Sequence, residues 1–324
     1  MGFPYPRASN WILSRRNPDG TYTLKDCLCG GEYTLGSTIG YLWKRLDGKT
    51  DPQKILPGCS QRGVASMIAA LDKEEMIRHS RVLVRSAGSI TYSLIIPKNC
   101  TRRSVLPVII NSILLVSWCP VLLLGIYSFI ENWHLFDASY MLLGQLFGLL
   151  LGCICHEAGH ACAGLACGAR FLEAGVLLQH GFPGAYVLLD DSHVKRMHKV
   201  QIRAASVEAN FLIAGSALII ASLFPSLFGF FFGVAFNNLF LGLINLTLID
   251  SLDGIHIIET LLGYHPLDII KDKEMRDSLK KEGTPGILEL IICYILRVLQ
   301  LVYPALLILN GLEVVLWLII IGLS

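Results

Sequence analysis

Charged residues are scarce in this chain of 324 residues. Lys, Arg, Asp and Glu together make up only 16% of it, whereas hydrophobic residues make up 53% and the mean hydropathy is +0.55. The net charge of +2 is too small to build the large basic surface that a nucleic-acid partner requires. The first hundred residues contain no early apolar run, so no signal peptide is expected. The composition therefore predicts an integral membrane protein and no nucleic-acid partner.

Long uncharged runs dominate the chain after residue 103. Each is long enough to form a membrane-spanning helix of about 20 residues. The runs cover residues 104–130, 140–167 and 209–249, and Pro225 divides the last of these into two spans. Residues 287–323 add one or two more, because the Asn310-Gly311 break leaves that count open. We therefore predict a multi-pass α-helical membrane protein with about five or six transmembrane helices.

The distribution of Lys and Arg predicts how these spans are oriented. Basic residues cluster before the first span and in the segments 170–203 and 271–281, whereas the 131–137 loop has none. Short basic loops stay in the cytoplasm. The predicted location is therefore the cell membrane, in a bacterial arrangement, with the amino-terminal residues on the cytoplasmic side.

Residues 1–100 are predicted to form a separate small α+β domain, followed by a membrane domain over residues 101–324. Two apolar stretches flank a glycine-containing segment and predict a hairpin, three helical patterns follow, and a second hairpin closes the domain. These patterns cover 21–24 with 32–35, then 37–46, a short helix from 51 and 60–73, and finally 81–85 with 90–96. Helices followed by a two-stranded wing indicate a winged-helix domain.

The second predicted span contains the sequence His156-Glu157-Ala158-Gly159-His160. An H-E-x-x-H pattern on a helix places two imidazoles one turn apart, where both can bind one zinc ion. The intervening Glu157 can then accept a proton from water. Ionisable residues at membrane depth are costly and usually mark function. We therefore predict a Zn²⁺ site with His156 and His160 as ligands and Glu157 as the catalytic base.

A catalytic zinc site normally has a third protein ligand, which must come from elsewhere in the chain. Asp253, in Leu252-Asp253-Gly254, follows another predicted span at the same cytoplasmic end of the membrane as the histidines. Asp253 is the preferred third ligand, and the nearby Asp250 remains an alternative.

Together, the histidine motif and the later Leu252-Asp253-Gly254 resemble the site-2 protease family of intramembrane zinc metalloproteases, over residues of about 140–260. The resemblance implies that His156, His160 and Asp253 hold zinc and that Glu157 acts as the base. The stretch from Ser206 to Asn210 is similar to the G-x-x-x-N segment of the family, with serine in place of the glycine. By this resemblance Asn210 lies near the zinc and helps to hold the substrate or its oxyanion.

A second resemblance covers residues 11–96. Tyr33 to Thr38, Leu42-Trp43 and Leu46-Asp47-Gly48 are similar to the PqqD-like peptide-recognition domain. That winged-helix domain occurs in the biosynthesis of ribosomally made, modified peptides and binds a leader peptide as an added strand at the edge of the wing sheet. The implied partner is therefore a precursor peptide bound through its leader.

These observations together predict a membrane-embedded zinc endopeptidase that processes such a precursor near the cytoplasmic face of the lipid bilayer. Two other classes remain open from the sequence. One is a non-proteolytic peptide-binding, export or immunity protein that retains the protease fold. The other is a transporter that uses the polar membrane residues as an ion path. Because winged helices also bind DNA, a membrane-tethered DNA-binding regulator is a further alternative.

Overall fold

The computed structural model describes most of the chain, apart from several short segments and the carboxyl-terminal end. The described residues are 2–26, 32–84, 89–95, 105–179, 182–249, 252–281, 286–300, 302 and 305. The chain divides into two compact units, one formed by residues 1–102 and 170–190 and the other by residues 103–169 and 191–324.

The first unit contains short strands and three helices. The strands are β1 (Gly2–Ala8), β2 (Ile12–Arg16), β3 (Tyr22–Asp26), β4 (Glu32–Leu35), β5 (Ile77–Ser80), β6 (Val82–Val84) and β7 (Ser89–Ile95). Three of the strands, β1, β2 and β5, were not predicted from the sequence. The helices are α1 (Ser37–Arg45), α2 (Pro52–Ile55) and α3 (Gln61–Lys73). Both predicted hairpins are confirmed, since β3 pairs antiparallel with β4 and β6 with β7.

Local capping and one apolar cluster explain these elements. Asp51 accepts a hydrogen bond from the backbone of Gln53 ahead of α2, and Ser60 accepts one from Gly63 ahead of α3. The helices and strands pack around a core of Ile12, Leu24, Leu42, Trp43, Leu46, Leu71, Met76 and Ile77. The buried indole of Trp43 also donates a 2.8 Å hydrogen bond to the carbonyl of Met76, which joins α1 to the segment after α3.

A hairpin from the middle of the chain completes this unit. The strands β8 (Arg170–Gln179) and β9 (Phe182–Asp190) extend the β6-β7 hairpin to a four-stranded sheet of order β6-β7-β8-β9. This differs from the boundary expected after residue 100, which assigned residues 170–190 to the membrane domain. A boundary drawn along the sequence cannot represent a segment that returns to an earlier domain.

The returning hairpin is held by a buried ion pair. Arg78 and Glu173 lie 2.9 Å apart with side chains that are 1% and 0% exposed. Glu173 also accepts hydrogen bonds from Ser93 and Tyr186. Burial raises the pKa of Glu173, but Arg78 and the two hydroxyl groups outweigh it and hold the pKa below its usual value.

The second unit contains four helices that are long and apolar enough to cross a membrane, among the residues that the structure describes. They are α4 (Val105–Glu131), α5 (Met141–Cys167), α6 (Arg196–Leu223) and α7 (Phe228–Asn245). These lengths and compositions indicate a membrane protein and agree with the first four predicted spans. The basic residues expected in a loop before residue 203 instead form the first turns of α6. A further helical segment covers 286–300, and most of the last predicted span lies outside the described residues.

Small residues let these helices approach closely. A Cβ atom added at Gly144 or Gly148 of α5 would overlap the backbone of Phe230 or Val234 in α7. Such small-residue contacts are the usual interface of membrane helices, because lipid provides no hydrophobic driving force between them. The shorter helices α8 (Asp253–Leu262), α9 (Pro266–Lys271) and α10 (Lys273–Lys281) follow α7.

Candidate metal centre

The structure brings His156, His160 and Asp253 together in the second unit. The two histidines lie one turn apart on α5, with ring centroids 5.1 Å from each other. Asp253 begins α8 and is buried. Its Oδ2 lies 3.2 Å from Nε2 of His156 and its Oδ1 lies 3.3 Å from Nε2 of His160. One ligand atom from each of the three residues falls within 4.8 Å of the others. Asp250, the alternative third ligand, lies outside the described residues.

Oxygen acceptors on α6 orient both imidazoles. Nδ1 of His160 donates to the carbonyl of Ile202, and Nδ1 of His156 donates to Oδ1 of Asn210, each over 2.8 Å. Because both partners accept, each Nδ1 carries the hydrogen, and Nε2 is the atom that a neutral imidazole would offer to a metal. This is the arrangement that a metal-binding histidine requires.

Ser206 provides a corresponding contact to the carboxylate. Its buried hydroxyl donates a 2.8 Å hydrogen bond to Oδ2 of Asp253, and the carbonyl of Arg203 lies 3.0 Å from the same hydroxyl. This contact was not predicted from the sequence, where Ser206 was only the residue at the glycine position of a motif. The four-residue spacing of Ile202, Ser206 and Asn210 was the available signal, since it places all three on one face of α6.

Gly159, within the histidine motif, permits this close contact between α5 and α6. A Cβ atom at Gly159 would lie 2.6 Å from the carbonyl oxygen of Ala205. That distance is far below an ordinary contact, so a side chain here would push the helices apart. The glycine therefore positions the polar face of α6 against the two histidines.

Asn210 belongs to a buried amide network rather than to an open pocket. Its Nδ2 donates to the carbonyl of Gly152 and to Oδ1 of Asn238 on α7. Asn238 in turn donates to the carbonyls of Gly148 and Val234. Both donor sites of the Asn210 amide are thus occupied in the structure. Asn210 positions His156, and its expected role at a substrate oxyanion stays a prediction.

Glu157 follows His156 on α5 and is partly exposed, unlike the buried polar residues of α6. A partly exposed carboxylate beside the two histidines remains accessible to water. Its position is therefore compatible with proton transfer, whereas Ser206, Asn210 and Asn238 are packed behind the ligands.

The chemistry of the site is thus defined by two imidazole nitrogens and a carboxylate oxygen, supported by hydrogen bonds from a single face of α6. Comparison with protein-family models, with curated proteins and with solved structures finds no match to this chain.

Proposed function

We propose that this protein is a membrane-embedded zinc endopeptidase of the site-2 protease type. The observation that carries the proposal is the convergence of His156, His160 and Asp253, whose ligand atoms lie within 4.8 Å of one another although they come from distant parts of the chain. The nearby Glu157 completes the set of residues that peptide hydrolysis requires.

The donor set fits zinc. Two neutral imidazoles and one carboxylate are ligand types that zinc binds in catalytic sites, and three protein ligands are the usual number there. The hydrogen bonds from both Nδ1 atoms and to Asp253 supply the outer contacts that hold such ligands in place. When bound, zinc would act as a Lewis acid that lowers the pKa of water to about 7.

In this proposal Glu157 accepts a proton from the attacking water and delivers it to the nitrogen of the leaving amine. His156, His160 and Asp253 would hold the metal. Ser206 orients the carboxylate of Asp253, and Asn210 orients the imidazole of His156. The peptide bond is broken between its carbonyl carbon and nitrogen, so that water supplies a hydroxyl to the acid product and a proton to the amine.

The proposed location is the cell membrane, with the reaction near the cytoplasmic face. Two of the three α6 residues that contact the ligands, Ile202 and Ser206, lie within three turns of its start at Arg196, and the third, Asn210, lies within four. That end of the helix contains Arg196, Lys199 and Arg203, and clustered basic residues favour the cytoplasmic side.

We further propose that the first unit recognises the substrate, a precursor peptide bound through its leader. The resemblance to PqqD-like domains supports this, together with the outer strands of the three sheets that the structure describes in this unit. At the wing, β8 already occupies one edge of β7, so an added strand would have to pair with β6 or β9 of that sheet.

A Glu157→Gln variant tests the enzymatic reaction. Detergent-purified wild type and variant are incubated with a peptide library, and new peptide termini are identified by mass spectrometry. We expect new peptide termini with wild type and none with Glu157→Gln, while both proteins retain zinc. Equal cleavage by Glu157→Gln would exclude this mechanism.

A further inference from the structure

A groove on the first unit has a charge pattern that the proposed reaction does not use. It has a volume of about 640 Å³ and lies between α1 and the turn that joins β2 to β3. Three cations line it, Arg16 from β2 and Lys44 and Arg45 from α1, and none of its lining residues is acidic. The groove is therefore a concave surface of one charge sign.

Within the part of the chain that the structure describes, these cations, Arg16, Lys44 and Arg45, have no acidic partner at ion-pair distance. The guanidinium of Arg45 is instead held 3.7 Å above the ring of Tyr41, which also lines the groove. Gathering like charges around one cavity is unfavourable unless an anion binds there, because a concave site concentrates their field.

The remaining polar groups of the groove support an anionic ligand. Ser37 and Thr38 provide hydroxyl groups at the start of α1, where no side chain caps the helix. The first N–H groups of an uncapped helix add partial positive charge at that end. The groove is thus lined by hydrogen-bond donors at one end of α1 and by the two cations Lys44 and Arg45 at the other end.

The length of the groove distinguishes an extended ligand from a single small anion. Ser37 and Arg45 are eight residues apart on α1, which corresponds to roughly 12 Å along the helix. An extended peptide covers that distance with about four residues. Cations and hydrogen-bond donors that together extend over such a length match a ligand with several spaced acceptor groups better than they match one phosphate group.

We propose that this groove binds an acidic peptide segment, with aspartate or glutamate side chains that pair with Arg16, Lys44 and Arg45. The identity of its natural partner, the precursor peptide, rests on the proposed function. Binding in this groove differs from strand addition at a sheet edge. Ion pairs with side chains would supply the affinity here, whereas backbone hydrogen bonds supply it in strand addition.

Binding of a fluorescein-labelled hexaglutamate to the full chain in uncharged detergent tests the proposal, with hexaserine as the neutral probe. The Glu157→Gln background is used so that cleavage cannot affect the fluorescence anisotropy. We expect saturable binding of hexaglutamate only, weakened by salt as ion pairing requires. The double variant Lys44→Gln/Arg45→Gln should weaken it by about tenfold.

The matched control is Arg62→Gln/Lys73→Gln, which removes two exposed cations of α3 outside this groove. It should leave hexaglutamate binding within about twofold of the background protein. Equal weakening by both double variants, or no binding at all, would overturn the groove while leaving the peptidase proposal intact. Stronger competition by pyrophosphate or by a DNA duplex than by unlabelled hexaglutamate would also overturn it, in favour of a phosphate ligand. Loss of cleavage or of zinc, by contrast, concerns only the proposed function.

Discussion

The hydroxyl of Ser206 donates a 2.8 Å hydrogen bond to Oδ2 of Asp253, although the two residues are 47 positions apart. The same face of α6 contacts His160 through Ile202 and His156 through Asn210. One helix that supplies no ligand therefore orients all three candidate ligands. This relationship makes α6 the structural support of the site.

Replacing Ser206 by alanine should weaken zinc binding while preserving the fold. The variant removes the hydrogen bond that fixes the Asp253 carboxylate, and loss of such a contact typically lowers metal affinity by about 10–100-fold. The measurement is the zinc dissociation constant from competition with a chromophoric chelator.

Ser222→Ala is the matched control for this substitution. Ser222 also lies on α6, but its hydroxyl contacts the carbonyls of Ser128 and Leu218. Its zinc affinity should equal that of wild type. Equal affinities for Ser206→Ala and wild type would show that Asp253 does not depend on Ser206.

Replacing Asn238 by alanine should destabilise the helical unit. Its amide connects α7 with Asn210 and with the carbonyl of Gly148, and all these groups are buried. Removing one partner leaves buried polar groups unsatisfied, at a cost of about 1–3 kcal/mol. Unfolding in mixed detergent micelles measures this change.

Asn245→Ala serves as the comparison, because Asn245 is only partly buried and donates within its own helix to Leu241. Its effect on the free energy of unfolding should be clearly smaller. If the two variants unfold alike, the amide network contributes nothing specific to the packing of α5, α6 and α7.

Adding a methyl group at Gly159 should disrupt the site without removing a polar group. The new Cβ of Gly159→Ala would approach the carbonyl of Ala205 to 2.6 Å, so α5 and α6 must separate. We expect reduced zinc content after purification in zinc-containing buffer. Ala158→Ser is the control, since Ala158 is exposed and its neighbour Gly159 remains unchanged. Full zinc content in Gly159→Ala would argue against close helix contact as a requirement.

The Arg78–Glu173 pair predicts a dependence of stability on pH. The pKa of Glu173 is lower in the folded protein than its unfolded value of about 4.3, so its carboxylate stabilises the fold above that pH. The contribution is lost as the pH falls through the lower, folded-state pKa. Thermal unfolding of wild type should therefore shift to lower temperature on acidification below about pH 4.

Glu173→Gln should remove this component of the pH dependence and lower stability at neutral pH by about 3 kcal/mol, since Arg78 is left buried without a counter-charge. Glu74→Gln, at an exposed position, should behave like wild type. An unchanged unfolding temperature for Glu173→Gln at neutral pH would contradict the stabilising role of the pair.

The sequence contained enough information for both hairpins, for the helices and for the choice of His156, His160 and Asp253 as candidate ligands. Alternation and helical periodicity located both hairpins and the helices of the first unit, and the spacing of His156 and His160 placed them on one face of α5. Contacts between distant segments could not be read in the same way. Arg78 and Glu173 are 95 positions apart in the sequence, so their ion pair could not be predicted from spacing. Asn238 lies in an apolar run, and its role in the amide network depends on how α5, α6 and α7 pack together.

The most direct test of the proposed zinc site is the zinc content of the detergent-purified protein. Wild type is compared with His156→Ala and Asp253→Ala, and His198→Ala serves as a histidine control on α6. We expect about one zinc per chain in wild type and in His198→Ala, and loss of zinc in both His156→Ala and Asp253→Ala. Loss in His156→Ala alone would move the third ligand away from Asp253. A wild-type protein that contains no zinc and cannot be reloaded with it would contradict the enzymatic account and favour a peptide-binding protein.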